Sequence, residues 1–106
     1  MKKNTKFYED EILKSIEIIE FYVNGMTFAD FQNNLEKFDA CCMRLQHIGE
    51  CGIKLGELVG DNYKGIPFAK MRGFRNRITH DYAGIDDLII WRTIKDNLPI
   101  LKDLLK

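Results

Sequence analysis

The chain has 106 residues, of which 45% are hydrophobic and 30% are charged. This length suits one domain, residues 1–106, with enough apolar side chains for a buried core. The formal net charge is zero, from 16 basic and 16 acidic residues, which argues against a broad nucleic-acid-binding track on one chain. No apolar run is long enough to span a bilayer, and the charged N-terminus is unlike a secretory signal, so we expect a cytoplasmic protein without a membrane segment.

The first half of the chain has the three- and four-residue apolar spacing that is typical of amphipathic helices. Thr5 is the expected cap of a first helix, and Asn24-Gly25 is its expected end. Thr27, with Asp30 three residues later, predicts a capping box at the start of a short helix. A longer helix is expected to follow, from about Leu35 to Val59.

Glycines recur at three- and four-residue steps in the second part of this long helix. Each interior glycine costs a helix about 1 kcal/mol relative to alanine. A smooth stripe of glycines allows another helix to approach closely, either within the chain or from a second copy of it. The alternative is that the glycines are tolerated as local weak points. The stripe consists of Gly49, Gly52, Gly56 and Gly60.

The second half of the chain also indicates helices. Pro67 suits the first turn of a third principal helix that runs to Asp81 or Tyr82, and Gly84 is its stop signal. Asp86 opens a last helix, which Pro99 should kink or restart. No alternating β pattern is present. We therefore predict an all-α fold, an antiparallel up-and-down bundle of four main helices plus one short helix.

Three cysteines lie close together in the long helix. An odd number of cysteines in a cytoplasmic chain favours reduced thiols. His47 and Cys51 are four residues apart, which could suit a metal ion, but the adjacent Cys41 and Cys42 point about 100° apart on a helix. We therefore favour small thiols that fill the core, and expect no metal ion or other cofactor.

The densest chemistry lies in the run Arg75-Asn76-Arg77-Ile78-Thr79-His80-Asp81-Tyr82. Guanidinium, amide and imidazole groups are those that bind a phosphate and move a proton near neutral pH. The other histidine, His47, has no such company in the sequence. Between Asn62 and His80 there are several bases and no acid, which indicates a small local phosphate site.

On an ideal helix, the third principal helix separates an apolar side from a polar side. Arg72, Asn76 and His80 share the polar side at four-residue steps, flanked by Lys70 and Arg77. This arrangement makes a plausible acid–base site for a phosphate diester. The alternative is a solvated helix end whose cations are favourable near the C-terminus. The apolar side carries Phe68, Met71, Phe74, Ile78 and Tyr82.

Arg75 does not fit the polar side, because it lies about 140° from His80 on an ideal helix. Its long side chain could reach around, the helix end could unwind, or a second chain could supply the missing groups. Alternatively, Arg75 is structural and pairs with a buried acid such as Asp39 or Glu50, with its stem on the core.

The pattern Arg-x4-His-x-Tyr formed by Arg75, His80 and Tyr82 resembles the signature of HepT-like HEPN domains. These are toxins of the HEPN/MNT toxin–antitoxin systems of bacteria and archaea. The similarity covers nearly the whole chain. Its other matching segments are Ile48-Gly49-Glu50, Ile66-Pro67, Gly73-Phe74-Arg75-Asn76, Tyr82-Ala83-Gly84-Ile85-Asp86 and Leu98-Pro99.

The resemblance implies a metal-independent endoribonuclease that acts as a homodimer with the motif at the interface. Arg75 and His80 would be the catalytic pair, supported by Asn76, Arg72 and Arg77. The RNA would supply its own nucleophile, the 2′-hydroxyl, and a 2′,3′-cyclic phosphate would be the product.

The resemblance also implies a partner, a small nucleotidyltransferase antitoxin of a type VII-like pair, which would transfer AMP to Tyr82 and so neutralise the toxin. An alternative is a non-catalytic helical dimer that binds this transferase and serves as its substrate. A third possibility is a nucleotide-binding bundle that has neither role.

Overall fold

The computed structural model describes residues 3–106, which are largely α-helical and contain no strand. The α-helices of this part of the chain are α1 (Thr5–Val23), α2 (Phe28–Gln32), α3 (Leu35–Val59), α4 (Phe68–Asp81), α5 (Asp87–Arg92) and α6 (Leu98–Leu105). A 3-10 turn, Tyr82–Gly84, follows α4, and a π-helical turn, Thr93–Asn97, joins α5 to α6. Because α5, the π turn and α6 are continuous, the predicted all-α bundle of four main helices plus one short helix is confirmed.

Side-chain caps mark the start of α1 and α2. The prediction that Thr5 caps α1 is wrong, because the side chain of Asn4 accepts a hydrogen bond from the Phe7 N–H at 2.9 Å and Thr5 is already helical. The predicted capping box is confirmed. Thr27 Oγ1 accepts from the Asp30 N–H at 3.1 Å, and Asp30 Oδ2 accepts from the Thr27 N–H at 3.0 Å.

The C-terminal helix changes its winding where proline enters. Pro99 lies in the first turn of α6, and the π turn comes directly before it. A proline has no N–H to donate and its ring clashes with the carbonyl four residues earlier, that of Lys95, which is inside the π turn. The wider turn accommodates the ring, so the predicted restart at Pro99 is confirmed.

The core is formed mainly by α1, α3 and the C-terminal helix. Phe31 from α2 is fully buried and packs against Trp91 and Phe38, with ring centroids 5.2 Å and 5.9 Å away. By contrast, α4 buries only Phe68 and Ile78 and packs mainly against α3. Most of its surface is therefore left open. None of the helices in the described residues is long and apolar enough to cross a membrane.

Candidate active site

Helix α4 lies against the glycine face of α3, and each glycine faces one α4 side chain. A Cβ atom at Gly49 would overlap Cβ and Cγ of Arg75 and lie 3.4 Å from the backbone oxygen of Met71, so a larger residue there would push the two helices apart. Of the two predicted uses of the stripe, close approach within the chain is confirmed, and the stripe no longer argues for a dimer. The facing pairs are Gly56 with Phe68, Gly52 with Met71 and Gly49 with Arg75.

Gly60 does not belong to this contact, although it was included in the predicted stripe. Apart from its chain neighbours, no residue has an atom within 4 Å of the position that its Cβ would occupy. Its φ of 82° ends α3 in a conformation that favours glycine.

The side chain of Arg75 runs from the helix contact to the surface. Its Cβ and Cγ lie beside Gly49, and its Nε is buried without a hydrogen-bond partner among residues 3–106. Nη2 lies 3.6 Å from Oε1 of Glu50. Of the two acids predicted as partners, Glu50 is therefore the one in contact, although it is exposed rather than buried.

Asn76 connects Arg75 to the polar side of α4. Nη1 of Arg75 donates a hydrogen bond to Oδ1 of Asn76 at 3.0 Å. Asn76 precedes His80 by one helical turn, so the two share a side of α4. The guanidinium is therefore held between Glu50 of α3 and Asn76 of α4.

The remaining polar residues of the predicted site are exposed along α4. His80 and its neighbours Arg72, Asn76 and Arg77 all lie at the surface. α4 stays helical through Asp81, so the predicted unwinding of the helix end does not occur between Arg75 and His80, and the winding changes only at Tyr82. The helical geometry thus leaves Arg75 and His80 about 140° apart at their Cα positions.

The bases around α4 divide into paired and unpaired groups. Nζ of Lys64 lies 2.8 Å from Oε2 of Glu9, and this hydrogen bond raises the pKa of Lys64. Lys70, Arg72 and Arg77 are exposed and have no ion pair with any residue from 3 to 106. α4 therefore presents three bases without an ion pair to a phosphate.

Tyr82 lies just beyond α4, in the 3-10 turn, and 41% of it is exposed. Its assignment to the apolar side of α4 is therefore wrong, although one part of its ring packs near Phe38 with a centroid distance of 6.0 Å. The turn brings the Asp81 carboxylate beside Gly84, where a Cβ would lie 2.5 Å from Oδ1. A partly exposed phenol at this turn is accessible to another protein.

His47 contacts side chains from two helices. Its Nε2 lies 3.2 Å from Oε1 of Glu11, which belongs to α1, and 3.5 Å from Sγ of Cys51. These groups line a groove that also contains Arg75. The four-residue spacing of His47 and Cys51 signalled their contact, but nothing in the sequence placed Glu11 or Arg75 beside them.

The three thiols are buried, as predicted. Burial is the main cause that raises the pKa of Cys41 to about 11, that of Cys42 to about 12 and that of Cys51 to about 11. The thiols are therefore protonated and poorly nucleophilic at neutral pH. Within residues 3–106, no three His, Cys, Asp or Glu side chains are grouped so that they could hold a metal ion.

Comparison with protein families identifies the class to which this fold and this motif belong. The model of the family described as "Ribonuclease HepT-like" matches residues 12–106. The chain therefore belongs to the HepT-like family of ribonucleases, whose domains are of the HEPN type.

Individual relatives agree with this assignment. The chain is 30% identical to a probable ribonuclease HepT of Thermococcus cleftensis, over 96% of this chain and 93% of the relative. It is 31% identical to a putative RNase of Methanocaldococcus jannaschii, over 95% of this chain and 84% of the relative. No solved structure matches the chain.

Proposed function

We propose that the chain is a metal-independent endoribonuclease, the toxin of a type VII-like toxin–antitoxin pair, with Arg75 and His80 as its catalytic pair. The observation that carries the proposal is the position of the Arg75 guanidinium. Its stem is fixed against α3, while Nη1 and Nη2 are held near the surface by Asn76 and Glu50. Membership of the HepT-like family supports the same activity.

The chemistry needs few groups because RNA carries its own nucleophile. A neutral His80 imidazole takes the proton of the 2′-hydroxyl, and the 2′-oxygen attacks the adjacent phosphorus. The bond to the 5′-oxygen breaks, and the His80 imidazolium formed in the first step gives its proton to that oxygen. A 2′,3′-cyclic phosphate remains on the RNA. Arg75 stabilises the extra negative charge on the phosphoryl oxygens, and Arg72 and Arg77 bind neighbouring phosphates.

In this proposal a second copy of the chain completes the site. Arg75 and His80 leave α4 about 140° apart, and the helix between them is regular. Two copies that meet along their exposed α4 surfaces bring the Arg75 of one close to the His80 of the other. The proposed active form is therefore a homodimer.

The test of the catalytic assignment is cleavage of RNA in EDTA. We expect the wild-type chain to cleave and His80→Ala to be slower by about 100-fold or more. Because His80 is exposed, its truncation should leave the melting temperature unchanged. Equal cleavage by the two proteins, or no cleavage by either, would remove the assignment.

Tyr82 is proposed as the site where a nucleotidyltransferase antitoxin attaches AMP. Its phenol gives its proton to a base of the transferase, the phenol oxygen attacks the α-phosphorus of ATP, and pyrophosphate leaves. The exposure of Tyr82 supports this step. The added phosphate repels RNA and competes for the arginines of α4. Mass spectrometry after incubation with the cognate transferase and ATP should find the adduct on wild type and not on Tyr82→Phe.

The exposure of Tyr82 also favours a second candidate function, a non-catalytic dimer that is only the substrate of the transferase. Here AMP transfer to Tyr82 still occurs, but neither the wild-type chain nor His80→Ala cleaves RNA. The two candidates are therefore separated by the cleavage assay.

A further inference from the structure

A groove of about 640 Å³ lies between α1 and α3 on the side of the bundle that Arg75 reaches. Its volume falls within the range of about 300–1,000 Å³ that is typical of sites for small ligands. Its walls include Phe7 and Tyr8 from α1, and His47 and Lys54 from α3, with Arg75 at the edge. The reaction proposed above uses only Arg75 from this set.

One wall of the groove is an accessible aromatic surface. Phe7 is 38% exposed and packs edge-to-face on Tyr8, with centroids 5.2 Å apart and an interplanar angle of 85°. Nζ of Lys3 lies 4.8 Å from the centre of the Phe7 ring. An aromatic face beside a cation is what proteins use to stack the bases of single-stranded nucleic acid.

The charges in the groove favour an anion although two carboxylates are present. Nε2 of His47 lies 3.2 Å from Glu11, and Nη2 of Arg75 lies 3.6 Å from Glu50. Along the groove three bases, Lys3, Lys54 and Arg75, outnumber these two acids. Lys54 lines the groove and has no ion pair within residues 3–106. Lys54 and the Arg75 guanidinium can therefore bind a backbone phosphate. Glu11 and His47 offer polar groups to the base.

From this geometry we infer that the groove binds one nucleotide of single-stranded RNA next to the scissile phosphate. The base stacks on Phe7, and the phosphate of the same nucleotide lies between Lys54 and Arg75. The inference rests on the proposed ribonuclease function, because Arg75 is the point where groove and active site meet. It assigns to α1 and His47 a part in holding the substrate.

The experiment uses His80→Ala as the parent, so that RNA binding is measured without cleavage. Fluorescence anisotropy with a labelled single-stranded RNA of mixed sequence, in EDTA, should show binding about five-fold or more weaker after Phe7→Ala. The matched control is Phe21→Ala, which removes a phenylalanine of the same helix that is 78% exposed and does not line the groove. This control should bind within two-fold of the parent.

A second pair of variants tests the phosphate contact. Lys54→Ala should weaken binding and reduce its dependence on salt, whereas Lys54→Arg should retain both. Photo-crosslinking of the parent to RNA that contains 5-iodouridine should place the adduct on Phe7 or Tyr8. This measurement needs no substitution in the groove, so it decides the matter even if Phe7→Ala does not fold.

If Phe7→Ala binds RNA with unchanged affinity and the crosslinks lie elsewhere, the inference that the groove binds RNA is overturned. Cleavage by the wild-type chain tests the proposed function separately. If the wild-type chain cleaves RNA and Phe7→Ala has no effect on binding, only the inference about the groove is wrong. If the wild-type chain does not cleave RNA and the parent does not bind it, both the proposed function and the groove inference are wrong.

Discussion

Arg75 is the residue on which both structure and proposed chemistry depend. Its Nε is buried without a partner among the described residues, and such an unsatisfied N–H costs about 1–3 kcal/mol. That cost is tolerated because the stem packs on Gly49 while the two terminal nitrogens meet Glu50 and Asn76. Only a planar guanidinium addresses both partners and still has N–H groups for a phosphate.

Arg75→Lys should therefore lose activity without losing the fold. A lysine keeps the charge and the stem but presents one ammonium group, which cannot face Glu50 and Asn76 and also bind a phosphate from two sides. We expect RNA cleavage to fall by about 100-fold, with the melting temperature changed by a few degrees at most. Arg92→Lys, the same change at an exposed position of α5, should cleave normally; a similar loss in that variant would show that the effect is not specific to position 75.

The buried thiols should make the free energy of unfolding fall at alkaline pH. Burial raises the pKa of Cys42 to about 12 from an ordinary value of 9.0, so in the folded chain it stays protonated after the unfolded thiol has ionised. The stabilisation is complete below pH 9 and is lost as the pH rises toward 12. At pH 10 the loss should be about 1 kcal/mol for this thiol.

Urea unfolding of wild type and Cys42→Ala at pH 8 and pH 10 measures this effect. The drop in free energy of unfolding between the two pH values should be smaller in Cys42→Ala, whatever its stability at pH 8. An identical drop would mean that the Cys42 thiol titrates alike in both states.

At the scale of elements, the contact between α3 and α4 decides where the proposed site lies. Gly49 leaves room for the stem of Arg75, so the two helices approach more closely than side chains would allow. Gly73 lies on the open side of α4, and beyond the local helix backbone no atom lies within 4 Å of the position that its Cβ would occupy. Substitution of Gly49 therefore tests the close packing of the two helices, whereas substitution of Gly73 tests only the low helix propensity of glycine.

Gly49→Ala should destabilise the chain by about 1–3 kcal/mol, because the new Cβ overlaps Arg75 and α4 must move. Gly73→Ala should instead stabilise it by up to about 1 kcal/mol, since alanine is the better helix former. Urea unfolding measures both, and RNA cleavage should fall only in Gly49→Ala. Equal stability of the two variants would contradict the close contact.

Local signals in the sequence predicted the elements well. Thr27 with Asp30 marked the start of α2, and α3 spans Leu35–Val59 as expected, because caps and breakers act over a few residues. Thr5 was predicted as the cap of α1, whereas Asn4, one residue earlier, is the cap; asparagine and threonine side chains both suit that position. The pairs Glu11 with His47 and Glu50 with Arg75 join different helices, so no local pattern could single them out; Glu50 was one of two candidates.

At the scale of the whole molecule, a net charge of zero is combined with a basic face on one helix. Lys70, Arg72 and Arg77 are exposed on α4, and most of the opposing acids lie on other helices. Two copies that meet along α4 would concentrate these cations in one cleft, which would give a neutral chain a local attraction for RNA.

Mixing two inactive variants tests whether the site is shared between copies. In a heterodimer of Arg75→Ala and His80→Ala chains, one of the two composite sites retains both residues. Subunit exchange should therefore restore up to about a quarter of wild-type cleavage by statistical mixing. A site within one chain predicts no recovery at all, and sedimentation of the mixture checks that dimers are present.

The fit of Gly49 against the stem of Arg75 also limits how relatives of this chain can diverge. A Cβ at position 49 can be accommodated only if the side chain at position 75 becomes smaller or moves, and the guanidinium would then lose its place. The two positions are therefore coupled through space although 26 positions separate them in the sequence. Aligned relatives that keep arginine at 75 should keep glycine at 49, whereas those that have lost the arginine are free to vary at both.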